Sequence, residues 1–109
     1  MKAALAAAVV AGCAGVEAPE LDTAMPASAR RGDPVVLTGT GFCVPDCDTS
    51  PAGSVAFGVE IPQIRGVVVT WNETAIQVVV PQSVATGSTE IVVSVNDRSS
   101  NALEFEVLP

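Results

Sequence analysis

The chain has 109 residues with no histidine and no tyrosine, and its five lysines and arginines face twelve carboxylates, for a formal charge of −7. So acidic a chain is a poor partner for nucleic acid, whose phosphates are held by clustered Lys and Arg. Without histidine it also lacks the side chain that most often serves as a general acid or base near neutral pH. Its length has room for one small domain.

Met1 and Lys2 are followed by an apolar run from Ala3 to Ala11, then Gly12 and Cys13. A positive start, an apolar segment of roughly 7 to 15 residues and small residues at the cut are what a secretory signal requires. The run is too short to cross a bilayer, which takes about 20 apolar residues. Val10-Ala11-Gly12-Cys13 resembles the lipobox of bacterial lipoproteins. The resemblance implies a signal peptide over residues 1–12, removed before Cys13, and a Cys13 thiol and amino end carrying acyl chains such as palmitate. Residues 13–18 then form a lipidated tether. Each buried methylene contributes about 0.8 kcal/mol, so two or three chains hold stably where one does not. Position 14 is alanine, not the aspartate that retains some lipoproteins at the inner membrane, which by the same resemblance favours the outer membrane. Loss of Lys2 leaves Arg30, Arg31, Arg65 and Arg98 against twelve acids, a net −8, so lipid rather than charge would have to hold the protein at a membrane.

Export would place the other two cysteines, in Cys43-Val44-Pro45-Asp46-Cys47, in an oxidising compartment where disulfides persist. They are expected to bridge and close one small loop, shaping it locally and stabilising less than the roughly 3 kcal/mol of a 15-residue loop. The competing reading is zinc, which wants four ligands in a chain without histidine.

From Pro19 the chain becomes a series of short β-rich runs broken by Gly, Pro, Asn and Ser, the spacing of an all-β sandwich. Pro34 to Thr40 reads as a strand with Val35 and Leu37 on one face and Val36 and Thr38 on the other, entered through Arg31-Gly32-Asp33. Phe42 follows as an apolar plug. Ser54 to Phe57 is the next strand, with Val55 and Phe57 inward and Gly58 ending it. Glu60 to Arg65 is an edge strand or loop, because Pro62 removes a ladder donor. Val67 to Trp71 and Ala75 to Val80 are the arms of a hairpin around Asn72-Glu73-Thr74, with Ile76, Val78 and Val80 alternating along the second arm. Pro81 to Gly87 is a loop. Thr89 to Val95 turns Ile91, Val93 and Val95 inward, and Leu103 to Val107 does the same with Leu103, Phe105 and Val107.

Pro19-Glu20-Leu21, Met25-Pro26, Gly32 and the run Val35 to Phe42 resemble the opening of an IPT/TIG domain. Val55 to Gly58, Trp71 to Ile76, Val80-Pro81, Gly87 and Ser100-Asn101 before Leu103 and Phe105 continue the likeness in the family's order. The resemblance implies an immunoglobulin-like β-sandwich of about seven strands over residues 19–109. Cys43 to Pro51 departs from the family as an insertion.

Little here points to catalysis, for want of a nucleophile paired with a base, and no catalytic residue, cofactor or metal is expected. Asp46 and Asp48 are the closest carboxylate pair, either solvated or part of a calcium site that would need six or more oxygens. Trp71, the one tryptophan, is either a core or rim residue or a platform for a sugar. Arg31-Gly32-Asp33 is read as a turn the fold requires, Asn72-Glu73-Thr74 as a hairpin turn rather than a glycosylation site, and Gly39-Thr40-Gly41 as no phosphate loop, since no helix follows. The expected protein is a non-catalytic, lipid-anchored envelope protein whose domain is a protein-interaction or structural module. The alternative is a carbohydrate-binding module at the cell surface. Its partners would be the membrane, through lipid, and an envelope protein or polysaccharide, and not nucleic acid.

Overall fold

Along Pro34–Thr40, Ala75–Val79, Gly87–Val95 and Leu103–Leu108 alternate residues are buried, and they meet those of Gly53–Phe57 in one layer between two sheets. The computed structural model describes residues 18–43, 53–58 and 63–109, and contains no helix among them. In chain order the strands are β1 (Glu20–Met25), β2 (Ser28–Arg30), β3 (Pro34–Thr40), β4 (Gly53–Phe57), β5 (Val67–Trp71), β6 (Ala75–Val79), β7 (Gly87–Val95), β8 (Arg98–Ser99) and β9 (Leu103–Leu108). One sheet has the order β1-β3-β6-β5, the other β2-β9-β7-β4 with β8 continuing alongside β7. All neighbours are antiparallel except β2 and β9, which run parallel. This is an immunoglobulin-like β-sandwich.

The inward residues are the ones alternation points to. Val35 and Leu37 of β3, Val55 and Phe57 of β4, Ile76 and Val78 of β6, Ile91, Val93 and Val95 of β7, and Phe105 and Val107 of β9 are all buried. Leu103, expected inward, is half-buried at the start of its strand. Phe57 and Phe105 meet edge to face, with ring centroids 5.8 Å apart. No polar or charged side chain is buried among the described residues. The core therefore carries no desolvated polar group needing a partner. Ala56 is buried although alternation turns it away from the core. It is covered by the segment before β5, where Arg65 forms an isolated bridge to Ala56. Of the stretch read as edge strand or loop, that bridge is the only strand-like part described.

Nine strand segments appear where about seven are expected, because the first strand is split between the sheets and a short extra hairpin closes β7. β1 pairs with β3, and two residues later β2 pairs with β9. Pro26, which has no N–H to donate, stands at the break. The extra hairpin joins β7 to β8 through Asn96 and Asp97 alone, both in the left-handed region at φ 49° and 66°. That is the backbone of a type I′ turn, which Asn and Asp tolerate well.

The turn at Arg31-Gly32-Asp33 is structural, as its placement in the fold requires. Gly32 has φ +87°, its N–H donates to Val80 O at 2.9 Å, and the Arg30 N–H donates to the Asp33 carboxylate at 3.1 Å. Gly39 is needed for a different reason. It lies on β3 opposite the start of β1, and a Cβ there would strike the Glu20 carbonyl oxygen and come 2.9 Å from Phe42 Cζ.

One side chain joins the two sheets. Asn101, between β8 and β9, accepts from Leu21 N–H and donates to Leu21 O, both at 2.9 Å, so its amide stands in for a ladder partner beside the bulge in β1. Ser100 holds Asn101 in place from behind. Its N–H donates to Val93 O at 2.7 Å, and its hydroxyl accepts from Val93 N–H at 2.9 Å. Asn101→Ala is expected to remove both bonds to β1 and lower stability by about 1–2 kcal/mol. Thermal unfolding should show a fall in Tm of roughly 4–8 °C per kcal/mol for a domain this size.

Candidate functional site

Two of the residues marked out by sequence, Trp71 and Cys43, meet at one end of the sandwich. Trp71 closes β5 and turns inward opposite Ile76, half-buried against the core. Its indole Nε1–H donates to Phe42 O at 2.7 Å, and its ring meets the Phe42 ring edge to face at 6.3 Å. Two further bonds tie the same corner, Gly39 N–H to Thr74 O at 3.0 Å and Phe42 N–H to Glu73 O at 3.3 Å. Trp71 thus pins the backbone immediately before Cys43, which is itself buried. Cys47, Asp46, Asp48 and the lipobox with Cys13 lie outside the described residues. Among the described residues no group of three or more Cys, Asp or Glu could hold a metal ion.

At the opposite end is a cavity of about 470 Å³, floored by Phe57 and walled by Thr86, Ser88, Thr89, Glu90 and Glu104. Glu90 stands directly across from Glu104 in the β7–β9 ladder, and Ser88 directly across from Glu106. The outer face of this sheet is therefore acidic and hydroxylic. The cavity brings in none of the residues singled out from sequence.

The outer face of the other sheet is different in kind. Its register sets Met25, Val36, Gln77 and Thr70 in one row across the four strands, and Pro34, Val79 and Val67 in the row beside it. None of these side chains is charged, in a chain that carries −7. Met25 is 66% exposed and Val67 62%. The most apolar stretch lies on the edge strand itself, where Val69 is 55% and Val68 38% exposed. A bulge at Val69, between Val68 and Thr70, interrupts the pairing with β6. Sequence reading placed β5 correctly but did not single out this edge. The available signal was Val67-Val68-Val69, three consecutive valines where a half-buried strand alternates apolar with polar.

These features belong to a known kind of domain. Residues 19–107 match the IPT/TIG domain family, and the chain belongs to it. Among solved structures, the gamma-CGTase of alkalophilic Bacillus clarkii is similar over 84% of this chain, with a TM-score of 0.69 and 28% identity. A protein of unknown function from Bacteroides thetaiotaomicron is similar over 84%, with a TM-score of 0.68 and 17% identity. The chain spans only 12% and 22% of those two proteins, so it corresponds to one module of each. No curated protein matches the chain in sequence. The family found is an immunoglobulin-like module, not a catalytic one.

The Trp71 corner can be tested directly. Trp71→Phe keeps an aromatic ring beside Phe42 but removes the donor to Phe42 O, and is expected to cost about 1 kcal/mol in denaturant unfolding. Trp71→Ala, which also removes the ring, is expected to cost about 3 kcal/mol or more.

Proposed function

We propose that the chain is a non-catalytic, lipid-anchored cell-envelope protein, held at the outer membrane through Cys13, whose IPT/TIG domain serves as a protein-interaction or structural module. The observation that carries the interaction reading is the uncharged, partly apolar patch formed by the Met25-Val36-Gln77-Thr70 and Pro34-Val79-Val67 rows on the outer face of the β1-β3-β6-β5 sheet, with its exposed valine edge. Exposed apolar area of this kind, rimmed by charge, marks contact surfaces. The anchor is supported by Val10-Ala11-Gly12-Cys13 after a short apolar run. No helix of the described residues is long and apolar enough to cross a membrane. The Cys43 to Cys47 bridge then closes the inserted loop next to the Trp71 corner.

A carbohydrate-binding module is the second reading. It is supported by the likeness to one module of a gamma-CGTase, and by a tryptophan whose ring is only half-buried. It predicts measurable polysaccharide affinity that Trp71→Ala abolishes and Trp71→Phe largely keeps, readable by affinity electrophoresis.

The anchor and the bridge are tested together by the intact mass of the protein extracted from a membrane fraction, with and without reductant. The expected mass is that of residues 13–109 plus acyl chains, rising by two hydrogens on reduction. A mass retaining residues 1–12, or lacking lipid, would remove the anchor from this reading.

A further inference from the structure

The four sheet edges of this sandwich are not treated alike. β1 carries Glu20 and Asp22 and a bulge, and is followed by Pro26. β2 is only three residues long, and the Arg30 guanidinium beside it donates to Pro109 O at 3.2 Å. β4 is covered by the chain that runs past it, through Phe57 N–H to Ile64 O at 2.7 Å and Gly66 N–H to Val55 O at 2.9 Å. These are the recognised ways of stopping one sheet from adding to another. β5 has a bulge but no charge and no proline, and among the described residues its only strand partner is β6.

We propose that β5 is a self-pairing edge, which joins β5 of a second copy antiparallel about a twofold axis and makes one continuous eight-stranded sheet. The proposal rests on the reading of the domain as an interaction module and names its partner. Three observations select a second copy. First, the residues that would face one another are complementary to themselves. The bulge places Val67 and Thr70 on the outer face and Val68 and Trp71 on the inner one. An axis at Val68 then sets Val67 of each copy against Val69 and Thr70 of the other, and buries the exposed valines together. Second, the flanks have opposite charge. Arg65 precedes β5 and Glu73 follows it, both exposed. Antiparallel pairing brings Arg65 of one copy to within about one residue step, some 3.3 Å, of alignment with Glu73 of the other, at both ends of the ladder. Third, two acidic molecules can approach here without opposing like charges, which is untrue of the β1 edge or of the Glu90 and Glu104 face. Because β5 pairs with itself and the other edges are blocked, the assembly closes at two copies.

A ladder of about five residues falls well short of the roughly 1,200 Å² of a stable interface. The dimer is therefore weak in dilute solution and forms at high local density. The test uses the full chain, both in the cells that make it and purified at about 1 mM, the effective concentration a short tether provides. Val68→Cys should give an oxidised dimer on a non-reducing gel well above the wild-type background, while Asp22→Cys on the β1 edge should not. Thermal melts and Trp71 fluorescence check that both variants are folded. In the Val68→Cys background, Arg65→Glu should lower the cross-link yield by about 5-fold, and Arg65→Glu with Glu73→Arg should restore it, since opposite charges across a ladder stabilise it and like charges do not. Equal cross-linking from Asp22→Cys, none from Val68→Cys, or a yield indifferent to Arg65→Glu would overturn self-pairing. Each of these would leave the interaction module itself standing, with a different envelope protein as its partner.

Discussion

The rest of the structure depends on two sheets closing face to face over a layer that contains only apolar side chains. Phe42, Phe57, Leu37, Ile76, Ile91 and the inward valines of β3, β4, β6, β7 and β9 have almost no contact with water. All of them lie on strands except Phe42, two residues past the end of β3. Because successive strand residues face opposite ways, burying this set commits each strand to one register, and a slip of one residue would turn its whole apolar set outward. The close approaches follow from the same demand. Gly39 lets β1 lie against β3, and Asn101 supplies ladder bonds to Leu21 on the open side of β1, the edge strand of its sheet.

Once the inner layer is filled, what distinguishes the two sheets is what they turn to solvent. The β2-β9-β7-β4 sheet shows carboxylates, including Glu90 set directly across from Glu104. Such a pair is tolerable where both groups are hydrated and screened, since exposed charges interact weakly across water and salt. The β1-β3-β6-β5 sheet carries its acids, Glu20 and Asp22, at the start of β1, and shows threonine, glutamine, valine and methionine across the rows from Met25 to Thr70 and from Pro34 to Val67. An acidic domain with one uncharged patch beside an edge that carries no charge and no proline has a built-in direction of approach. A partner is least repelled there, and among the described residues β5 has no strand partner on its outer side. The Trp71 corner stands at one end of the same sheet, and the cavity beside Glu90 and Glu104 at the other end of the molecule.

Much of this architecture is visible in the chain before folding. Strands β3, β4, β6, β7 and β9 are marked by alternating apolar residues bounded by Gly, Pro and Asn, and their inward residues follow from the alternation. The turn at Gly32 and the hairpin at Asn72 to Thr74 are likewise local, set by residues close in sequence. Strand β2 and the Asn96-Asp97 hairpin escape such a reading. Three residues are too few to show a period, and the two-residue turn is flanked by a strand of only two residues, Arg98 and Ser99.

By itself, then, the sequence determined the class of fold, the strands long enough to show a period of two, the faces they bury and the acidity of the surface. Those properties are sums over residues or patterns within one segment. Only the tertiary structure decided that Trp71 is a hydrogen-bonded pin on Phe42 O, that Asn101 holds Leu21 from eighty positions away, and that β5 is an edge strand of its sheet. These depend on the order of strands in each sheet, which comes from packing between segments distant in the chain. Three consecutive valines read the same in a buried central strand as on an exposed edge, until their neighbours are known.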